Sequence, residues 1–187
     1  MDLLTFKGGI HPYDGKEMSM DKAICDYFPK GDGVYPLAQH IGAPAIPIVK
    51  KGDRVLVGQK IAEAAGFVSA NIHSGISGTV KAIEPRLTVG GTKVDSIIVE
   101  NDGLFEEIDF TKNVRPLDQM YREDVKEAIK EAGIVGMGGA GFPTHVKLSP
   151  KNEEAIDTII VNGAECEPYL TSDYRRMLEV PEKIVAG

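Results

Sequence analysis

The spacing of apolar residues changes twice along this chain, and each change marks a different kind of structure. Through residues 1–36 no period holds. Gly8-Gly9, Pro12, Asp14-Gly15 and Gly31-Asp32-Gly33 punctuate a polar stretch that reads as an irregular arm. From about 34 to 101, short runs of Val, Ile and Leu are separated by Gly52-Asp53, Gly58-Gln59, Gly75, Gly78 and Gly90-Gly91, which is an all-β texture. Alternating patterning predicts strands over 45–49, 54–57, 78–83, 86–89 and 94–99. Residues 101–116 are acidic, end on Pro116 and read as a connector. Beyond them the period becomes helical. Tyr121, Val125, Ala128, Ile129 and Ala132 share one face, Glu123 and Asp124 occupy the first turn, and Gly133 supplies a left-handed stop. After a glycine-rich loop the pattern predicts a short helix near His145, a strand over 158–162, a polar turn, a helix over about 171–178 and a helical start after Pro181.

Composition narrows the class. Of 187 residues 42% are hydrophobic and 26% charged, as in a soluble globular chain able to bury a sizeable core. The formal charge of -7 lacks the basic excess of a nucleic-acid binder. No apolar run approaches the ~20 residues of a membrane helix, and the start lacks a signal peptide's basic-then-apolar order. With two cysteines, Cys25 and Cys166, a reduced cytoplasmic setting is expected. One clear strand in the last third is too few to bury both faces of an α/β layer, so a piece of a longer polypeptide is expected.

Residues 49–83 resemble the lipoyl and biotinyl carriers, flattened barrels of two similar halves, through Gly52-Asp53, Gly58-Gln59 and the Ser74-Gly75-Ile76-Ser77-Gly78 turn. The modified lysine of such carriers sits at a hairpin tip, which falls near Phe67 here. No lysine lies between Ile61 and Val80, and Lys60 and Lys81 fall on strands or strand ends. A structural barrel with exposed loops, offering a docking surface around Phe67 and His73, is the expectation in place of a carrier. His73, beside Ser74, reads as a ligand-facing residue or, as a lone histidine more often is, as a surface or hydrogen-bonded one.

The segment 133–147, GIVGMGGAGFPTHVK, carries the most chemistry. Its glycines let backbone N–H groups approach a ligand with no side chain between, and successive N–H groups can form an anion nest. Pro143 opens the following helix and Lys147, one turn on, adds a cation, an assembly suited to a phosphate. It is not a Walker loop: Gly136 and Gly141 have the spacing, but Phe142 and Pro143 stand where Lys and Ser belong. Gly136, Gly138 and Gly141 satisfy Gly-x-Gly-x-x-Gly, yet a helix precedes them where the dinucleotide fingerprint requires a strand. Glycines that merely let two elements pack closely remain the alternative.

GMGGAGFPTHVK followed by Val161-Asn162-Gly163-Ala164-Glu165-Cys166-Glu167-Pro168 resembles the FMN- and NADH-binding subunit of respiratory complex I, and more closely the RnfC family, the C subunits of Rnf electron-transport complexes. GGIHP, 8–12, and the β module match that family in the same order. The resemblance implies an α+β fragment of two domains: an all-β barrel-sandwich hybrid of lipoyl/biotinyl type, then the start of an α/β FMN-binding domain. The expected division is an arm 1–33, the barrel 34–101, a connector 102–117 and the truncated flavin domain 118–187.

It also implies a function: a peripheral electron-input subunit on the cytoplasmic side of the cell membrane. Such a subunit exchanges electrons between NADH and ferredoxin through FMN and two [4Fe-4S] clusters, coupled to ion translocation by other subunits. The clusters would lie in a C-terminal part beyond these residues, since Cys25 and Cys166 cannot supply four thiolates. NADH and the other subunits are the implied partners, ferredoxin indirectly, and the fragment alone is expected to be inactive. Backbone N–H groups around Gly136, Gly138, Gly139 and Gly141 would line the flavin, with Lys147 near its phosphate. Asn162 would hydrogen-bond the flavin or its ribityl chain, and Glu165 and Glu167 would border the nicotinamide side or stand as solvated loop acids. No catalytic acid or base and no protein-held metal are expected, because hydride chemistry belongs to the flavin. The complex I relatives usually carry an aspartate at the Ala164 position and arginines at the Val135 and Met137 positions, so those contacts do not carry over; Cys166 replaces a serine. The rival class is a non-enzymatic docking or scaffold module whose glycine loop is structural.

Overall fold

In the computed structural model, which describes residues 8, 10, 12–112, 114–138 and 141–187, seven strands form two antiparallel sheets. In chain order they are β1 (Gly33–Pro36), β2 (Ile46–Pro47), β3 (Arg54–Val55), β4 (Lys60–Glu63), β5 (Ile72–His73), β6 (Gly78–Leu87) and β7 (Lys93–Asn101). One sheet runs β1-β7-β6-β3 and the other β2-β4-β5. Alternation does what the pattern requires: Gly78 and Val80 of β6 point inward between exposed Thr79 and Lys81. The inward sets of both sheets, including Val55, Ile61, Ile72, Val80, Ile97 and Val99, form one core, with Tyr35, Val49 and Phe105 packed at its margin. The molecule is therefore α+β, with a barrel-sandwich hybrid as its β part.

Three expectations from the sequence need correction. Strands predicted over 78–83 and 86–89 are one strand, β6, which passes through Pro85 opposite Asp95. Proline is tolerated because β3 pairs with β6 only at Thr79 and Gly78, so the far edge of β6 at Pro85 needs no N–H donor. The supposed irregular stretch ends in β1, which pairs with β7 from Gly33↔Val99 to Pro36↔Ser96. Finally, residues 158–162 form no strand. Ile159, Ile160 and Val161 are 85%, 86% and 74% exposed, with no ladder partner among the described residues. An all-apolar run of this kind is a strand only when neighbours cover both edges and both faces.

Residues 101–116 are no free tether. Val57 bridges Glu107, the Ile108 N–H donates to the Val57 carbonyl at 3.0 Å, and the Phe110 ring occupies the space a Cβ on Gly58 would need. Helix α1 (Arg122–Glu131) follows, opened by the Asp124 carboxylate accepting from the Tyr121 N–H at 2.9 Å. Then come α2 (Thr144–Lys147), α3 (Ser172–Glu179) and α4 (Pro181–Ala186). No helix among the described residues is long and apolar enough to cross a membrane.

The residues group into two spatial units. One, Phe28–Ile156, holds both sheets, α1 and α2. The other joins Asp157–Gly187 to the described part of the arm up to Tyr27. Within it the arm is tied to α3 and the residues before it: Glu179 accepts from the Ile24 N–H at 3.0 Å, Arg175 donates to the Met20 carbonyl at 3.0 Å, and Lys16 to the Leu170 carbonyl at 2.6 Å.

Candidate functional site

The glycine loop begins at the end of α1. The Gly133 N–H donates to the Lys130 carbonyl at 3.0 Å and the Ile134 N–H reaches back to Ile129 at 3.2 Å, the two bonds of a Schellman stop, with Gly133 at φ 66°. The chain then makes a narrow hairpin. Val135 bridges Pro143, the Gly136 N–H donates to the Phe142 carbonyl at 2.8 Å, and the Thr144 N–H to the Ile134 carbonyl at 2.9 Å. Gly138 lies exposed in the turn; Gly139, one of the expected flavin-lining residues, lies outside the described residues.

Lys147, expected near the flavin phosphate, lies on α2 against the hairpin. Its Nζ lies 2.9 Å from where a Gly136 Cβ would stand and 5.9 Å from the Phe142 ring centre, so glycine is what lets the ammonium settle against the hairpin. Lys147 takes part in none of the ion pairs among the described residues. A cation so placed beside Gly136, in a turn where Met137 is 98% exposed, has the charge a phosphate would need. One detail differs from expectation: the Gly136 N–H is occupied by Phe142, so the role left to Gly136 is close approach and not amide donation.

Two glycines serve packing. A Cβ on Gly133 would overlap the Asn71 carbonyl oxygen, and one on Gly141, at φ 59°, would lie 2.7 Å from the Gln39 carbonyl oxygen. His73, expected as part of an open docking face, is half-buried, with Nδ1 3.2 Å from a Cβ built on Gly133. Burial first, and the Lys60 charge second, push its imidazole below the usual value. Phe67 is indeed at the tip between β4 and β5 and 65% exposed. Lys60 pairs with Glu131 and Lys81 with Asp32, so neither is a swinging arm.

Asn162, Glu165 and Glu167 belong to the second unit, whereas the glycine hairpin belongs to the first. Asn162 folds its Oδ1 onto the Ala164 N–H at 3.0 Å. Glu165 accepts from the Asp173 N–H at the start of α3, 2.8 Å away, and from Lys16 at 3.4 Å. The Glu165 carboxylate thus holds the arm and caps a helix. Glu167 is exposed and hydrogen-bonds the Cys166 thiol, raising its pKa. Among the described residues no group of three or more His, Cys, Asp or Glu is gathered for a metal ion. Sequence reasoning missed Asn71 and His145, buried polar residues whose contacts between barrel and hairpin, Asn71 to Lys130 and His145 to Phe67, span 59 and 78 positions, beyond any local signal.

Residues 4–104 match the RnfC barrel sandwich hybrid domain, and residues 129–187, which contain the hairpin, match the Nuo51 FMN-binding domain. The chain is 47% identical over 186 residues to the C subunit of the proton-translocating ferredoxin:NAD(+) oxidoreductase complex of Clostridium ljungdahlii, covering 99% of this chain and 40% of that protein. It is 44% identical over 189 residues to the Na(+)-translocating counterpart of Acetobacterium woodii, covering 98% of this chain and 41% of the relative. The C subunit of the ion-translocating oxidoreductase complex of Rhodobacter capsulatus is 42% identical over 186 residues, 98% of this chain and 36% of its own length. The chain thus spans less than half the length of these relatives. With the barrel domain matched over more than half of the 187 residues, and identities above two in five across almost all of them, the chain belongs to the RnfC family.

Proposed function

We propose that this chain is the electron-input part of a peripheral subunit on the cytoplasmic side of an ion-translocating membrane complex, where electrons pass between NADH and ferredoxin. The proposal keeps the division into arm 1–33, barrel 34–101, connector 102–117 and flavin-domain start 118–187. It also keeps [4Fe-4S] clusters for the length that its relatives carry beyond the matched region. When bound, FMN supplies hydride acceptance and one-electron release. This chain's residues bind and orient. The Lys147 ammonium neutralises phosphate charge, and the N–H groups at Gly138 and Gly141 donate to its oxygens, with Gly139 proposed as a further flavin-lining residue. Asn162, Glu165 and Glu167 are proposed for the isoalloxazine and nicotinamide side.

The observation that carries this reading is the Lys147 Nζ lodged against Gly136 in a segment matching an FMN-binding domain. It is tested by titrating FMN into the purified chain and its Lys147→Ala variant while following flavin fluorescence. Saturable quenching weakened about tenfold or more in the variant is expected for loss of a charged phosphate contact. Quenching equal in both would support the second reading, a structural loop in a scaffold module, which the tight seating of Gly133 and Gly141 favours. No quenching in either would sink flavin binding by this chain.

A further inference from the structure

The barrel holds the glycine hairpin at both ends. At its entry, Asn71 Nδ2 donates to the carbonyls of Lys130 and Glu131 at 3.4 and 3.3 Å, at the end of α1, where the Lys130 carbonyl also accepts from the Gly133 N–H. At its exit, Gly141 sits on the backbone of Gln39 and His40. Then, on α2, His145 is 6% exposed and places Nε2 3.0 Å from the Phe67 carbonyl oxygen. A carbonyl can only accept, so Nε2 carries the proton. The two rings meet edge to face, 6.0 Å between centres and 90° between planes.

The geometry points to His145 as a positioning residue. By donating to the hairpin tip at Phe67, where a carrier barrel would bear its modified lysine, it makes the barrel a rigid mount for the glycine hairpin and for Lys147. His145 and Lys147 share the four-residue α2, so fixing the imidazole fixes the backbone that bears the ammonium. A mount answers a physical need. A glycine-rich turn loses more conformational freedom on ordering than any other sequence, and a phosphate contact is strong only when its donors are already in place. The inference rests on the phosphate-binding reading for its purpose, whereas the clamp itself is geometric.

The test compares the full chain with His145→Ala and His145→Gln, the glutamine amide being able to reach the same carbonyl. Hydrogen exchange is read at the Gly136 and Thr144 amides, which close the hairpin, and at the Val80 amide, which donates to Asp53 inside the barrel at 2.8 Å. His145→Ala is expected to speed exchange at Gly136 and Thr144 about tenfold and leave Val80 unchanged, with His145→Gln restoring protection. FMN affinity should fall and recover in parallel. Unchanged exchange in His145→Ala, equal loosening at Val80, or no restoration by glutamine would each overturn the clamp. If the unaltered chain fails to bind FMN, the flavin reading falls and the exchange pattern alone decides the role of His145.

Discussion

Lys60 Nζ lies 2.7 Å from Glu131 Oε2, joining the first residue of β4 to the last residue of α1, immediately before the glycine hairpin. A carboxylate at a helix C-terminus opposes the macrodipole, and the barrel lysine offsets that cost. Burial lowers the His73 imidazole pKa, and the same lysine adds to that effect while Glu131 opposes it.

The pair is half exposed, so Lys60→Ala should cost less than about 1 kcal/mol, most of it vanishing at about 1 M salt. The Lys60 hydrogen bond lowers the Glu131 pKa from 4.5, against some opposing burial. The stability it contributes is therefore present above the ordinary carboxylate value and lost as pH falls through the lower folded value. Urea melts of both proteins at two salt concentrations check this; a large cost independent of salt would contradict it.

His73 should make the fold sensitive to mild acid. Burial lowers its pKa from 6.5, Lys60 adds to the effect and Glu131 opposes it. Below 6.5 the unfolded chain binds the proton first, so stability is full above that value and declines as pH drops toward the folded pKa. Thermal melts between about pH 5 and 7.5, bracketing the usual imidazole range, should show a steeper slope for the unaltered chain than for His73→Gln. Parallel slopes would remove His73 as the cause.

Gly133 and Gly52 offer a matched pair of alanine substitutions. Both are left-handed, at φ 66° and 94°, but a Cβ on Gly52 meets nothing within 4 Å while one on Gly133 overlaps the Asn71 carbonyl. Gly52→Ala should cost only the conformational penalty of about 1–2 kcal/mol. Gly133→Ala should cost clearly more and release the hairpin, read as faster exchange at Gly136. Equal costs in denaturant titrations would mean that Gly133 serves only to end the helix.

Legibility in the sequence followed the range of the interaction. Helix α1 and its stop were readable because its cap, face and glycine lie within a dozen neighbouring residues and act locally. The hairpin tip near Phe67 was placed through the resemblance to carrier barrels, counting back from Gly78. By contrast β1, β4 and β5 are two to four residues long, and β1 exists only because β7, some sixty positions on, offers an open edge. The run 158–162 carries strong strand composition yet forms no strand, because composition cannot supply a ladder partner.

The candidate site divides the same way. That a phosphate-suited glycine loop ends in a lysine, and that no lysine stands at the carrier tip, were properties of residue type and spacing, decided by covalent order alone. Which glycines pack against the barrel, that the Gly136 amide is already occupied, and that His145 grips Phe67 were decided only when the barrel folded. Hydrogen bonds and van der Waals contacts between residues 59 to 78 positions apart depend on where the whole chain places them, and no local pattern encodes that placement.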